Sequence, residues 1–200
     1  AIVKKLPAVE TLGSTQVICT DKTGTLTMNK MTVKKAFLFD NALDEFNNLD
    51  FNNKIFKDKE KEDDAEKPAL KLIKSNKTIQ EFVKAMVLCN DVQIKMEEDN
   101  LVCVGDPTEV ALVHCGYVFD AGKDLYEGKY QRVGEVPFDS ERKMMSTINL
   151  VDGQRYVYTK GALDSVIERC NRVYDNGKIR KLTSADKETI LNKNQELASM

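Results

Sequence analysis

Asp21 stands at the end of an apolar run, Val17-Ile18-Cys19, and is followed by Lys22-Thr23-Gly24-Thr25-Leu26-Thr27. A carboxylate is a covalent nucleophile toward phosphoryl groups. An aspartate that titrates near ~3.9 is ionised at neutral pH without a helper base. The threonine hydroxyls and nearby N–H groups suit an anion, and Gly24 admits a backbone conformation that a Cβ obstructs. The chemistry predicted from these residues is attack on phosphate. The plain alternative is a Thr/Gly-rich surface turn after a strand.

Asp21-Lys22-Thr23-Gly24-Thr25-Leu26-Thr27 resembles the phosphorylation motif of P-type ATPases, ion pumps that form an aspartyl phosphate. The resemblance implies that Asp21 is the acceptor, with Lys22 and Thr23 completing the catalytic set. It places magnesium at Asp21 and Thr23 in the intact phosphorylation domain. In related soluble phosphatases of the haloacid dehalogenase superfamily, the residue two after the nucleophile is usually a second Asp acting as acid and base. Thr23 does not perform that proton transfer at ordinary pH. The aspartyl phosphate is therefore expected to be long-lived, as a pump requires.

Three further segments resemble the family, in the family's order. In Gly105-Asp106-Pro107-Thr108-Glu109, the resemblance turns Glu109 toward adenine, where a carboxylate accepts from the exocyclic amine. Glu109 also falls where a capping box wants it, three residues after a plausible N-cap at Asp106. In Phe138-Asp139-Ser140-Glu141-Arg142-Lys143, Phe138 is expected to stack on adenine and Lys143 to lie near the phosphates. Read alone, Phe138 suits a core residue at a strand end, and Arg142-Lys143 a solvated turn. Some calcium pumps carry a nucleotide-contacting Arg where Ser140 stands here, and Arg142 is the expected substitute. Thr159-Lys160-Gly161-Ala162-Leu163-Asp164 resembles the family's Lys-Gly-Ala-Pro-Glu signature, whose lysine lines the adenosine pocket. Gly161 is expected to let the nucleotide approach the backbone, with an anion-favouring helix N-terminus following. Leu163 and Asp164 replace Pro and Glu, which bears on helix initiation more than on binding. No Walker A pattern is present.

The elements that must position these groups follow from periodicity. Val17–Cys19 reads as a short buried strand, and Met31–Phe39 as another. Residues 40–76 are polar, with a mixed-charge run at Lys57–Asp64 that reads as a solvated loop. Ile79, Phe82, Val83, Met86 and Val87 recur at helical spacing and predict a helix over Thr78–Cys89. A hairpin is predicted at Val92–Met96 and Leu101–Val104, then a helix opening at Asp106. Strands are expected at Tyr130–Phe138, Lys143–Leu150 and Arg155–Thr159, with a short helix at Ala162–Arg169. Arg172–Tyr174 and Lys178–Lys181 predict a second hairpin, and a last helix covers Ser184–Ala198.

These elements predict an α+β fold, an antiparallel β-sheet flanked by helices, preceded by a short segment of an α/β domain. The expected division is an incomplete phosphorylation-domain segment over 1–32 and a nucleotide-binding domain over 33–200, with a disordered charged loop near 47–69. The 200 residues carry 30 Lys+Arg against 32 Asp+Glu, so no global basic field argues for nucleic acid or anionic lipid. No window approaches the roughly 18 apolar residues of a membrane span. Five cysteines, odd in number and without CxxC spacing, suit mostly buried reduced thiols, and His114 has no zinc-ligand pattern around it.

The expected function is the ATP-binding cytoplasmic domain of a P-type cation pump, most like the calcium branch. ATP and magnesium are its expected cofactors, and the pump's remaining phosphorylation, actuator and membrane domains its partners. The implied location is the cytoplasmic face of a membrane, without direct membrane contact. The start on Ala and the lack of the family's Thr-Gly-Asp and Gly-Asp-Gly-x-Asn-Asp segments predict a fragment that binds ATP weakly and does not autophosphorylate. The alternatives are a free-standing ATP-binding module and a soluble haloacid-dehalogenase-type phosphatase.

Overall fold

A computed structural model describes residues 13–17, 19–22, 24–39, 46–49, 68–97 and 100–200. The charged run, Ile18, Thr23 and nearly all of Leu6–Gly13 lie outside the described residues. The chain divides into two units, Ala1–Lys30 and Met31–Met200.

In the first unit the two described residues of the expected buried strand, Val17 and Cys19, are neither strand nor buried, and Val17 is 75% exposed. A strand of three apolar residues is held by neighbours that pair with it, and no strand among the described residues does so. The turn that follows does form. Leu26 N–H donates to the Lys22 carbonyl at 3.0 Å, Gly24 N–H donates to Thr27 Oγ1 at 3.2 Å, and Gly24 takes φ +78°. That is the left-handed conformation its lack of a Cβ allows.

The second unit is α+β, with antiparallel sheets flanked by helices. Its elements are α1 (Pro68–Ser75), α2 (Lys77–Leu88), β1 (Gln93–Glu97), β2 (Asn100–Val104), α3 (Pro107–Val118), α4 (Lys123–Lys129), β3 (Arg132–Asp139), β4 (Met144–Val151), β5 (Gln154–Gly161), α5 (Leu163–Ile167), β6 (Arg172–Asp175), β7 (Lys178–Lys181) and α6 (Ser184–Ala198). The strands form three antiparallel sheets, β1-β2, β3-β4-β5 and β6-β7.

Helix α2 organises the core. Asn76 caps it, its side chain accepting from Ile79 N–H at 3.0 Å. One face sends Ile79, Val83, Met86 and Val87 into a cluster with Leu72 and Ile73 of α1, Cys115 of α3, Phe119 and Phe46. Phe46 stacks on Phe119 at 5.5 Å between centroids. Gly116 permits the approach of α3 to α2, since a Cβ there would lie 2.4 Å from Val87 Cγ2. At its C-terminal end α2 passes Leu88 and Cys89 to a second cluster with Met145, Val151 and Tyr158 of the three-stranded sheet.

Three further expectations are corrected. Met31–Phe39 is not a strand: Ala36 N–H donates to Asn47 Oδ1 at 2.8 Å, and Asn47 Nδ2 donates back to the Ala36 carbonyl at 3.2 Å. That side chain takes the backbone groups a sheet partner would use. Residues 68–75 are helical rather than loop, because Ala69, Leu72 and Ile73 are buried against α2. Of the five thiols only Cys89 and Cys115 are buried, while Cys103 is intermediate and Cys19 and Cys170 are exposed. No described helix is long and apolar enough to cross a membrane.

Candidate functional site

Helix α2 ends at Leu88, and the chain reaches β1 through Asn90-Asp91-Val92. Asn90 is fully buried. Its Nδ2 donates to the Glu109 carbonyl at 3.0 Å and its Oδ1 accepts from Val92 N–H at 2.9 Å. This amide ties the loop after α2 to the first turn of α3. Asp106 caps that helix as expected, accepting from Thr108 N–H at 2.8 Å, with Pro107 in its first turn.

Glu109 departs from the capping box. Its Oε2 accepts from Asp91 N–H at 3.0 Å, and its Oε1 pairs with the Lys160 ammonium. The two side chains are 16% and 26% exposed respectively, so the pair is partly desolvated and less screened than a surface pair. Fifty-one positions separate the two in sequence.

Strand register places the aromatic member. Lys160 pairs with Met145 across β5 and β4. On the other side Val136 pairs with Ser146 and Asp139 with Met144. The register shift leaves Pro137 and Phe138 opposite Met145, a bulge of the kind that re-aims side chains near sites. Phe138 is 63% exposed while Met145 is buried. Phe138 is therefore a presented ring and not a core residue.

Lys143 closes the β3–β4 turn. Its N–H donates to the Asp139 carbonyl at 2.7 Å, and Arg142 N–H donates to Asp139 Oδ1 at 2.7 Å. Lys143 has φ +54°, a left-handed backbone that disfavours a residue with a Cβ. The turn is locked to the end of β5: Ala162 N–H donates to the Lys143 carbonyl at 3.0 Å. A Cβ on Gly161 would stand 2.3 Å from that same carbonyl. Gly161 is thus required by strand packing, before any ligand approaches.

The Lys143 ammonium lies 3.2 Å from Asp164 Oδ2. That hydrogen bond, helped by Ser165 N–H, holds the Asp164 carboxyl below its usual range. Arg142 turns back instead, donating to the Met144 carbonyl at 3.0 Å. Cys89 lies under the cluster. Burial pushes its thiol up, although the Lys160 charge draws it partly back down.

The structure therefore joins Glu109 to Lys160 directly, and Lys143 to the Lys160 strand end through Gly161 and Ala162. Phe138 shares their row by register, and Arg142 faces its own turn. Asp21 and Lys22 belong to the first unit, and Thr23 lies outside the described residues. Asn90, Asp91 and Asp164 are the site residues that motif reading missed. Asn90-Asp91 directly after an apolar helical run was a signal for a helix-terminal loop, but nothing local indicates what it grips. Among the described residues no group of three or more His, Cys, Asp or Glu is placed to hold a metal ion. The described part of the Asp21 turn does not amount to a magnesium site.

A presented ring, a half-buried carboxylate and two ammonium groups suit a ligand with a flat heterocycle at one end and anionic groups at the other. Residues 78–200 match the family model for the P-type ATPase cytoplasmic domain N. The chain belongs to the P-type ATPase family. Among its relatives in that family, "Calcium-transporting ATPase 1" of Bacillus cereus is 45% identical over 190 residues, which is 95% of this chain and 18% of the relative. "Calcium-transporting ATPase 1" of Lactococcus lactis is 43% identical, over 98% of this chain and 19% of the relative. "Potassium-transporting ATPase alpha chain 2" of Homo sapiens is 32% identical, over 100% of this chain and 18% of the relative. The chain thus spans about a fifth of the length of these P-type ATPases.

Proposed function

We propose that this chain is the nucleotide-holding part of a cation-transporting P-type ATPase, with calcium as the cation. The observation that carries the reading is the Glu109–Lys160 pair, which unites the Gly-Asp-Pro-Thr-Glu helix start with the Lys-Gly-Ala strand end. In this reading the adenine stacks on Phe138, and its exocyclic amine donates to the Glu109 carboxylate. Lys160 borders the adenosine, Gly161 sits at the rim, and Lys143 meets the phosphates. Arg142 reaches the nucleotide after releasing the Met144 carbonyl. Calcium comes from the names of the bacterial relatives, since ion choice belongs to membrane segments.

In the whole pump, Asp21 attacks the terminal phosphate, with Lys22 and Thr23 beside it. The bond from the γ-phosphorus to the bridging oxygen breaks, the Asp21 carboxylate oxygen bonds to phosphorus, and ADP leaves. Asp21 and Thr23 supply too few oxygens for the octahedral shell of magnesium, so we place that metal with further ligands from the rest of a pump. The partners are the actuator, membrane and remaining phosphorylation domains, and the location is the cytoplasmic side of a membrane.

The test is an ATP titration of the chain by calorimetry, with Phe138→Ala and Lys160→Ala alongside. Loss of a stacking ring is expected to weaken binding by about 1–3 kcal/mol, and loss of Lys160 by a similar amount. ATP binding unchanged in both variants refutes the site. Incubation with labelled ATP is expected to leave Asp21 unlabelled, and acid-stable phosphate on Asp21 refutes that part.

A further inference from the structure

The two lysines of the site are not alike in what they rest on. Lys160 pairs with Glu109, a residue already assigned to the adenine. Lys143 pairs with Asp164, which the nucleotide reading leaves without a task. We propose that Asp164 is a built-in competitor for the phosphates at Lys143 and so sets how much the phosphate tail contributes to binding. The inference rests on the nucleotide reading and deepens it.

Three observations carry it. The pair is direct, with Lys143 Nζ 3.2 Å from Asp164 Oδ2, and both side chains are more than half exposed, so a ligand can reach them. The two backbones are fixed to one another, because Ala162 N–H donates to the Lys143 carbonyl and Gly161 pairs with Met144. Any change of partner by Lys143 is therefore a side-chain motion alone. Finally, Lys143 occupies a left-handed position at φ +54°, where glycine would be less strained. Strain of that kind concentrates at functional sites, and here the residue that bears it is the one paired with Asp164.

A polyphosphate approaching Lys143 must displace the Asp164 carboxylate and remain near its negative charge. Both effects subtract from what the lysine gives the phosphates, and neither touches the adenine. The site consequently selects for the base and discriminates weakly among ATP, ADP and AMP. A glutamine at 143 removes the object of the competition, so Asp164 then has no bearing on nucleotide length.

Isothermal titration of the chain with ATP and with AMP tests this in the unaltered protein, Asp164→Asn, Lys143→Gln and the double variant. Asp164→Asn is expected to tighten ATP by about two- to fivefold, the span of an exposed ion pair, and to change AMP less. In the Lys143→Gln background the same substitution is expected to have no effect on the ATP-to-AMP ratio. An NMR titration is expected to show the Asp164 carboxyl moving up toward the ordinary aspartate range in Lys143→Gln. An unchanged or weakened ATP affinity in Asp164→Asn overturns the inference, as does a ratio shift that survives Lys143→Gln. If the unaltered chain binds neither nucleotide, the nucleotide reading itself fails, and this inference fails with it.

Discussion

The turn after Asp21 is tied within itself, by Leu26 N–H on the Lys22 carbonyl and Gly24 N–H on Thr27 Oγ1. Val17, Leu26 and Met28 around it are 75%, 69% and 86% exposed. Glu109 and Lys160 meet across 51 residues, over a loop clamped by the buried amide of Asn90 and a sheet packed on α2. Both regions carry family motifs of comparable clarity. A motif therefore guarantees residue types, whereas the precision of a site comes from the packing beneath it. In the Asp21 unit no described apolar side chain is buried.

The largest expected contrast is chemical. Burial pushes the Cys115 thiol up to about 12, so at pH 8 it is thiolate to only about one part in ten thousand. Cys19 is exposed. Iodoacetamide followed by mass spectrometry should modify Cys19 more than ~100-fold faster than Cys115 in the native chain. Equal rates would break the contrast between the two regions.

A pair of truncations comes next. Ile79 is fully buried in the α2 core, and Ile79→Ala should lower unfolding stability by about 2–5 kcal/mol. Leu26→Ala, at an exposed position in the Asp21 turn, should stay within about 0.5 kcal/mol. Urea unfolding of both variants measures the difference.

The smallest contrast concerns two glycines. Gly161→Ala drives a Cβ into the Lys143 carbonyl and should cost about 1–3 kcal/mol without any ligand. Gly24→Ala meets no atom closer than Asn29 Cβ at 4.0 Å. Its φ strain of about 1 kcal/mol should stay in the turn and leave the melting temperature of the second unit unchanged. Equal losses would mean that the two regions unfold as one.

Much of the second unit was legible. The helical spacing from Ile79 to Val87 located α2 within a residue at each end, and the last helix expected over Ser184–Ala198 is α6. There Thr183 and Asp186 form the reciprocal cap that Glu109 does not. Asp186 is also bound by Arg180, which holds its carboxyl well below the usual range. The misses share a cause. Val17–Cys19 and Met31–Phe39 have strand-like composition, yet composition does not supply a neighbour to pair with. Helix α1 is eight residues long and carries three buried side chains, a length at which helices depend on tertiary packing more than on propensity. Helix α4 gives no local signal for the same reason: its seven residues start from Gly122, which has no side chain to cap them.

The sequence by itself determined the family, the residue types at each motif and the larger elements of the second unit from α2 onward, because these are local patterns of spacing, capping and turn chemistry. Only the tertiary structure decided that Glu109 reaches Lys160 rather than its own helix start, that Phe138 is presented rather than buried, and that Lys143 rests on Asp164. Those outcomes depend on a bulge, a strand register and the docking of α3 against the loop after α2. Each is fixed by contacts between different elements, and the spacing within one element carries no record of them.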